Sequence, residues 1–418
     1  MEQQTAFEKS LEAGRIFTPT APIDEKSLFA GRRGQIRKIM DAIFQKGQHA
    51  VIFGERGVGK TSLSNVLSDF LTNPSTPILS PRVNCDASDT FESLWLKIFN
   101  EIQLNRTVRE IGFQRHPLAA EISGAELLRG DISPDGVRRA LMALTQAAVP
   151  VLIVDEFDRV RPEVRRAFAD TIKTLSDHAV GATVVLVGVA ESVDQLIDEH
   201  QSIERALVQI QMPRMSTPEI EEIIETGLQR LEMSIEHHAK KRIVMLSQGL
   251  PHYTHLICLS AVRASLDELS GLITLDHVES AMNDAIERAQ QSIRSAYHTA
   301  IRSPRPDSLF AEVLLACALA KTDELGMFAA QDVRKPIQSI TGKSYEIGSF
   351  AKHLNDFSDS KRGPILVKTG TQRSFRYKFI NPLMQPFVIM EGFASQKITK
   401  EAISMLTASD AESTLFPL

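Results

Sequence analysis

The chain has 418 residues, enough for two or three domains, with 43 % hydrophobic and 24 % charged residues and no low-complexity tract. A formal net charge of -5 argues against a protein that coats nucleic acid non-specifically, and there is no run of about 18 apolar residues to span a membrane. Cys85, Cys258 and Cys317 lie far apart without metal-type spacing, as expected of buried thiols in a reducing compartment. The opening residues MEQQTAFEKSLEAG are polar, with no secretory apolar core, so the expected location is cytoplasmic.

The first informative stretch is HAVIFGERGVGKTSLSNVL, residues 49–67. Residues 49–53 form a short β-rich run, and an apolar pattern of helical period begins at Ser62. Between them lies Gly54-x4-Gly59-Lys60-Thr61. Glycines at 54, 57 and 59 let successive N–H groups turn into one concavity, and the following helix adds its unspent N-terminal donors. The segment Gly54, Glu55, Arg56, Gly57, Val58, Gly59, Lys60, Thr61 and Ser62 is therefore the candidate phosphate cradle. Lys60 would reach the β- and γ-phosphates of ATP or ADP, and the Thr61 hydroxyl would complete the shell of a Mg²⁺ ion. The plain alternative is a glycine turn with an incidental lysine. The strand before it and the helix after it argue against that.

Residues 91–102 and 134–146 carry amphipathic helical patterns, in a connection longer than a simple crossover needs. Residues 149–154, VPVLIV, read as a central parallel strand covered on both faces, and it ends in Asp155-Glu156. Ligands of open α/β sheets bind at the carboxyl ends of strands, where the glycine loop also falls. Asp155 is thus the candidate Mg²⁺ ligand, and Glu156 the group that orients the attacking water. The alternative is a strand running into an acidic loop. Residues 183–187 are a third buried strand, and the alternation from 49 to 210 predicts a parallel sheet with helices on both faces.

Residues 218–303 read as continuous helix pattern broken mainly by Gly249-Leu250-Pro251, as in a small helical lid. SPRPDS at 303–308 is the best linker candidate. Beyond it come three helices (309–321, 329–340 and 347–357), then ILVKTG and FRYKFI around a polar turn. Three helices and a two-stranded wing make a winged helix, whose third helix can enter the DNA major groove. Lys361, Arg362, Lys368, Arg373, Arg376 and Lys378 give the wing six basic residues and no acidic one; Lys352 and His353 lie on the third helix. That local charge is the main argument for nucleic acid. Against it, winged helices also bind proteins, basic hairpins are often only solvated, and Asp356 and Asp359 adjoin the helix.

Taken together, the chain is expected to be an α/β P-loop NTPase domain (1–215), a helical lid (216–303), a winged-helix domain (304–395) and a tail (396–418). Gly54 to Thr61, Asp155-Glu156, VNC at 83–85 and SIERAL at 202–207 resemble the AAA+ ATPases of the origin-recognition and initiator type, over roughly residues 20–390. FAGRRGQI at 29–36 is similar to the turn those proteins set beside the nucleotide base. The resemblance implies that Arg205 is supplied to the γ-phosphate of a neighbouring subunit, with Arg214 a weaker candidate; a solvated surface arginine is the alternative. Two departures stand out. The family's asparagine after the third strand is missing from GVAES, where Glu191 or Ser192 could substitute. The family's lid arginine is missing from residues 249–258, where His252 holds the nearest place, although a histidine on an apolar helix face is more often a packed core residue than a phosphate contact. Gly-Leu-Pro there is similar to the STAND group of signalling NTPases.

Two functions follow from these features. One is a slow, Mg-dependent ATPase switch that forms homo-oligomers or hetero-assemblies and engages double-stranded DNA. The other is a STAND-like signalling or defence scaffold whose winged helix binds a partner or effector protein. Neither involves a membrane.

Overall fold

The computed structural model describes residues 3–71, 77–108, 118–128, 130, 132–190, 193–197, 203–304, 308–323, 325–371 and 374–398. The strands are β1 (His49–Gly54), β2 (Ile78–Leu79), β3 (Arg82–Asn84), β4 (Gln103–Val108), β5 (Leu118–Ser123), β6 (Val149–Asp155), β7 (Thr183–Val189), β8 (Leu207–Gln211), β9 (Ser234–Ile235), β10 (Leu272–Ile273), β11 (Phe328–Ala329), β12 (Leu366–Thr369) and β13 (Arg376–Phe379). Helices α1 to α6 are Gln3–Ile16, Arg33–Phe44, Lys60–Phe70, Phe91–Asn100, Pro134–Leu144 and Pro162–Asp177. Helices α7 to α11 are Thr217–Arg230, His237–Ser247, Pro251–Asp267, Leu275–Arg288 and Gln291–Ile301. Helices α12 to α15 are Phe310–Ala318, Arg334–Thr341, Ile347–Phe357 and Met384–Ala394. The chain divides into two compact units.

One unit comprises Pro22–Glu55 and Gly59–Met212. Its sheet runs β2-β6-β7-β1-β8, with β3 also on β6, and every pairing is parallel. All of β1 is buried, as is β6 from Pro150 on, as expected of strands covered on both faces. One face packs an aromatic core in which Trp95 stacks on Phe168, centroids 5.3 Å apart and planes 12° apart. Burying each such ring contributes about 1.5–3 kcal/mol. α4 starts at a Thr90–Ser93 capping box and stops at Asn100, two residues before the predicted end, because Glu101 caps it and the chain turns into β4. The unexpectedly long connection contains the antiparallel pair β4–β5.

The other unit comprises Met1–Ala21, Arg56–Val58 and Pro213–Leu418. Here α1 packs with the lid helices: the Phe17 ring lies 6.0 Å from His255 and close against Gly227. The lid is not continuous helix. Ser234–Ile235 and Leu272–Ile273 pair as a two-residue parallel bridge, too short to show strand alternation in the sequence. The C-terminal helices α12, α13 and α14 are followed by the β12–β13 hairpin, and β11 adds a third strand on β13. α14 spans the predicted residues 347–357, and α15, buried along most of its length, closes the winged helix. All three cysteines are buried and free. Among the described residues no helix is long and apolar enough to cross a membrane.

Candidate functional site

At the carboxyl end of β1 the backbone turns through Gly54, where a Cβ would lie 2.4 Å from the Met212 carbonyl oxygen. Only glycine fits there. Gly57 and Gly59 take φ of 86° and 92°, the left-handed region that lets consecutive amides face one concavity. Gly59 is the N-cap of α3 and, having no side chain, leaves that first turn without a cap of its own. Lys60, 7 % exposed, folds back over the loop, its Nζ 3.0 Å from Gly54 O and 2.6 Å from Glu55 O. Val58 and Glu55 are buried and Arg56 is exposed; Thr61 is half-buried. Ser62 Oγ accepts the Ile23 N–H at 3.1 Å, so this hydroxyl anchors the incoming chain. A glycine cradle, a lysine and a helix N-terminus make a donor set suited to phosphate.

The acids stand at the end of β6, with β7 between them and the glycine loop. Two strand spacings put them roughly 10 Å from it. Asp155 is 2 % exposed; its Oδ1 accepts the Glu156 N–H and its Oδ2 lies 2.8 Å from Arg82 Nη2. Oxygen donors of this kind suit a hard cation such as Mg²⁺. Glu156 adopts φ 56°, and its carboxylate pairs with Arg159 at 2.6 Å. Asp158 Oδ1 accepts the Val189 N–H at 2.8 Å, tying the acidic loop to the end of β7. Arg165 donates to the carbonyls of Asp158 and Gln195 at 2.7 and 2.6 Å, holding the same loop from α6. Lys97 bridges Asp86 and Asp89, and Asp86 is held down to about 2, first by Ser88 and then by Lys97. Burial pushes the neighbouring Cys85 thiol up to about 12, so it is no nucleophile. Sequence reasoning missed Arg82, Arg159 and Asp158. Their partners are fixed by strand register and by a tight turn, not by spacing.

Arg205 is exposed on a turn just before β8. Because β8 runs parallel to β1, with His49 opposite Leu207, Arg205 sits at the edge of the sheet away from the glycine loop. Glu191 and Ser192 lie outside the described residues. His252 Nδ1 meets the Pro19 carbonyl at 2.6 Å, and burial lowers its pKa, in keeping with a packed residue. Arg214 donates to Gln385 Oε1 at 2.6 Å within the helical unit, so it is committed there. Gly249 is needed for close approach, since a Cβ would lie 2.7 Å from the Met215 carbonyl oxygen.

In the wing the basic residues have different surroundings. Arg362 donates to the carbonyls of Ala300 and Arg302 at 2.6 and 2.8 Å and lies 3.4 Å over the Phe310 ring, so it closes the end of α11. Arg376 pairs with Asp323 at 2.9 Å, Lys368 donates to Asn355 at 2.7 Å, and Lys378 is 7 % exposed. Lys352 and Lys361 are exposed; Arg373 lies outside the described residues.

The parallel sheet and the glycine loop with its lysine define a P-loop core flanked by helices. Residues 43–197 match the family model described as "AAA domain". The fold is similar to a Walker-type ATPase of Pyrococcus abyssi (14 % identity, TM-score 0.50, covering 89 % of this chain and 99 % of that one). It is also similar to the ORC2 protein of Aeropyrum pernix (13 % identity, TM-score 0.49, 91 % and 98 % covered) and Cdc6p of Pyrobaculum aerophilum (14 % identity, TM-score 0.45, 92 % and 99 % covered). No curated protein matches the chain in sequence.

Proposed function

We propose that this chain is a slow, ATP-binding and ATP-hydrolysing switch of the AAA+ type, which oligomerises and engages double-stranded DNA through its winged helix. The observation that carries the reading is the pairing of the Gly54–Thr61 cradle with the Asp155–Glu156 tip across β7 on one sheet edge. Bound Mg²⁺ would neutralise charge on the phosphate oxygens. Lys60 and the loop amides hold the phosphates, Thr61 and Asp155 hold the ion, and Glu156 orients the attacking water. Two features favour slow turnover: residues 249–258 contain no arginine, and Glu156 is paired with Arg159. Arg205, exposed at the opposite sheet edge, suits a contact with the site of another copy.

DNA contact falls to Lys352 and Lys361, with Lys368 and Arg376 at the rim. Filter binding of a duplex at low salt tests it: ATP should raise the affinity, and an affinity indifferent to ATP would count against the switch. A second reading, a scaffold ATPase whose winged helix binds an effector protein, is favoured by a groove of about 620 Å³ lined by Asn355, Asp359, Pro364, Val367, Lys368 and Ile380. Val367 and Ile380 are exposed there, 37 % and 52 %, an apolar pair unsuited to phosphate.

A further inference from the structure

Arg82 is a residue that neither the motifs nor the proposed reaction uses. On β3 it stands opposite Ile153, yet its side chain reaches two residues further, to the end of β6. Nη2 lies 2.8 Å from Asp155 Oδ2 and 3.2 Å from Asn84 Oδ1. The side chains are 4 % exposed for Asp155 and 28 % for Arg82, so the carboxylate is shielded from solvent while the guanidinium is partly exposed. Arg82 Nε is buried with no partner among the described residues. Buried polar atoms are normally bonded, so this partly exposed guanidinium is held through Nη2, by Asp155 and Asn84, and not by a complete donor network. The neighbouring cations serve other acids: Arg159 pairs with Glu156, and Lys97 with Asp86 and Asp89.

We infer that Arg82 is a positioning residue that competes with the divalent cation for Asp155 and thereby sets the Mg²⁺ concentration at which nucleotide is taken up. The inference rests on the reading of Asp155 as the metal-holding acid. Before metal arrives, the guanidinium keeps the carboxylate aimed and its charge balanced. When the cation binds, two positive groups meet on one carboxylate and repel. Asn84 Oδ1 leaves the displaced guanidinium an acceptor already within reach.

Mn²⁺ titrated alone into the full-length protein, with free ion read by electron paramagnetic resonance, measures this competition without turnover. Arg82→Gln should bind Mn²⁺ about tenfold more tightly than wild type, because a repelling charge is gone. Arg82→Lys, which keeps the charge, should restore the wild-type affinity, and Asp155→Asn should remove the site. In parallel, Arg82→Gln should reach half-maximal ATP uptake at lower Mg²⁺. If the glutamine variant does not fold, Arg82→Met keeps the apolar stem and answers the same question. Unchanged or weaker Mn²⁺ binding by a folded neutral variant would overturn the inference. Failure of the nucleotide reading shows differently: no ATP uptake at any Mg²⁺ concentration, in wild type and variants alike.

Discussion

Arg205 and Lys60 stand at opposite edges of one parallel sheet. Lys60 follows the carboxyl end of β1, and Arg205 precedes the start of its neighbour β8. A six-residue strand separates the two edges by roughly 20 Å. An arginine so placed cannot reach the glycine loop of its own chain. If it acts at all in hydrolysis, it acts on another copy.

Arg205→Ala and Lys60→Ala should therefore each be inactive alone, and mixing them should restore part of the activity. Phosphate release by the mixture is the readout. Arginine fingers contribute about 10³–10⁵ in rate, so the single-variant loss should be large while Arg205→Ala still binds nucleotide. A mixture no faster than its parts would return Arg205 to a solvated surface residue.

Glu156→Gln should keep nucleotide binding and stop turnover, because it removes the carboxylate proposed to orient the water and leaves Asp155 in place. The protein should then accumulate with ATP bound, visible as unhydrolysed nucleotide after gel filtration. Wild-type hydrolysis by this variant would remove Glu156 from the reaction.

Acid should destabilise the protein through two histidines. His49 in β1 is fully buried, with Nδ1 accepting the Val184 N–H at 3.0 Å, and burial lowers its pKa to about 4. His255 in the lid is lowered to about 4, by burial first and His252 second. Both are neutral when folded, whereas the unfolded chain binds a proton near 6.5. Stability is thus fully present above about pH 6.5 and is lost as pH falls towards 4, by up to about 3 kcal/mol for each histidine. Urea melts of wild type and His49→Gln at pH 7.5, 6 and 5 measure the slope. The variant should start less stable and lose less; parallel curves would exclude His49.

In the wing, folding and binding should separate. Arg362→Ala removes two bonds to helix-end carbonyls and a stacked ring, so it should lower stability by about 2–4 kcal/mol. Lys352→Ala with Lys361→Ala should leave the melt unchanged. If the winged helix grips DNA, this pair should also weaken duplex binding and flatten its log–log salt slope by about 2. An unaltered salt slope would favour the protein-binding reading.

Much of this was legible in the sequence where chemistry and local pattern coincide. Gly54 to Thr61 declares itself through glycine spacing flanked by a strand and a helix. Residues 149–155 do so through an apolar run ending in acid, and 347–357 through helical period alone. Arg82 was not legible, because its partner lies 73 residues away and is chosen by the β3–β6 register. The burial of Lys378 was not legible either, since it lies between the buried Tyr377 and Phe379 in a strand without alternation. The β4–β5 pair falls in a stretch whose polar and apolar residues hold no clear period. Ion pairs and strand partners belong to the folded chain, and one sequence carries little trace of them.

The central claim is tested most directly by isothermal titration of ATP and ADP, with Mg²⁺, into wild-type and Lys60→Ala protein of matched thermal stability. The account predicts saturable uptake near one nucleotide per chain by the wild type and none, or at least about a hundredfold weaker uptake, by the variant. No heat of binding with the folded wild type, or equal affinity in the two, would contradict it.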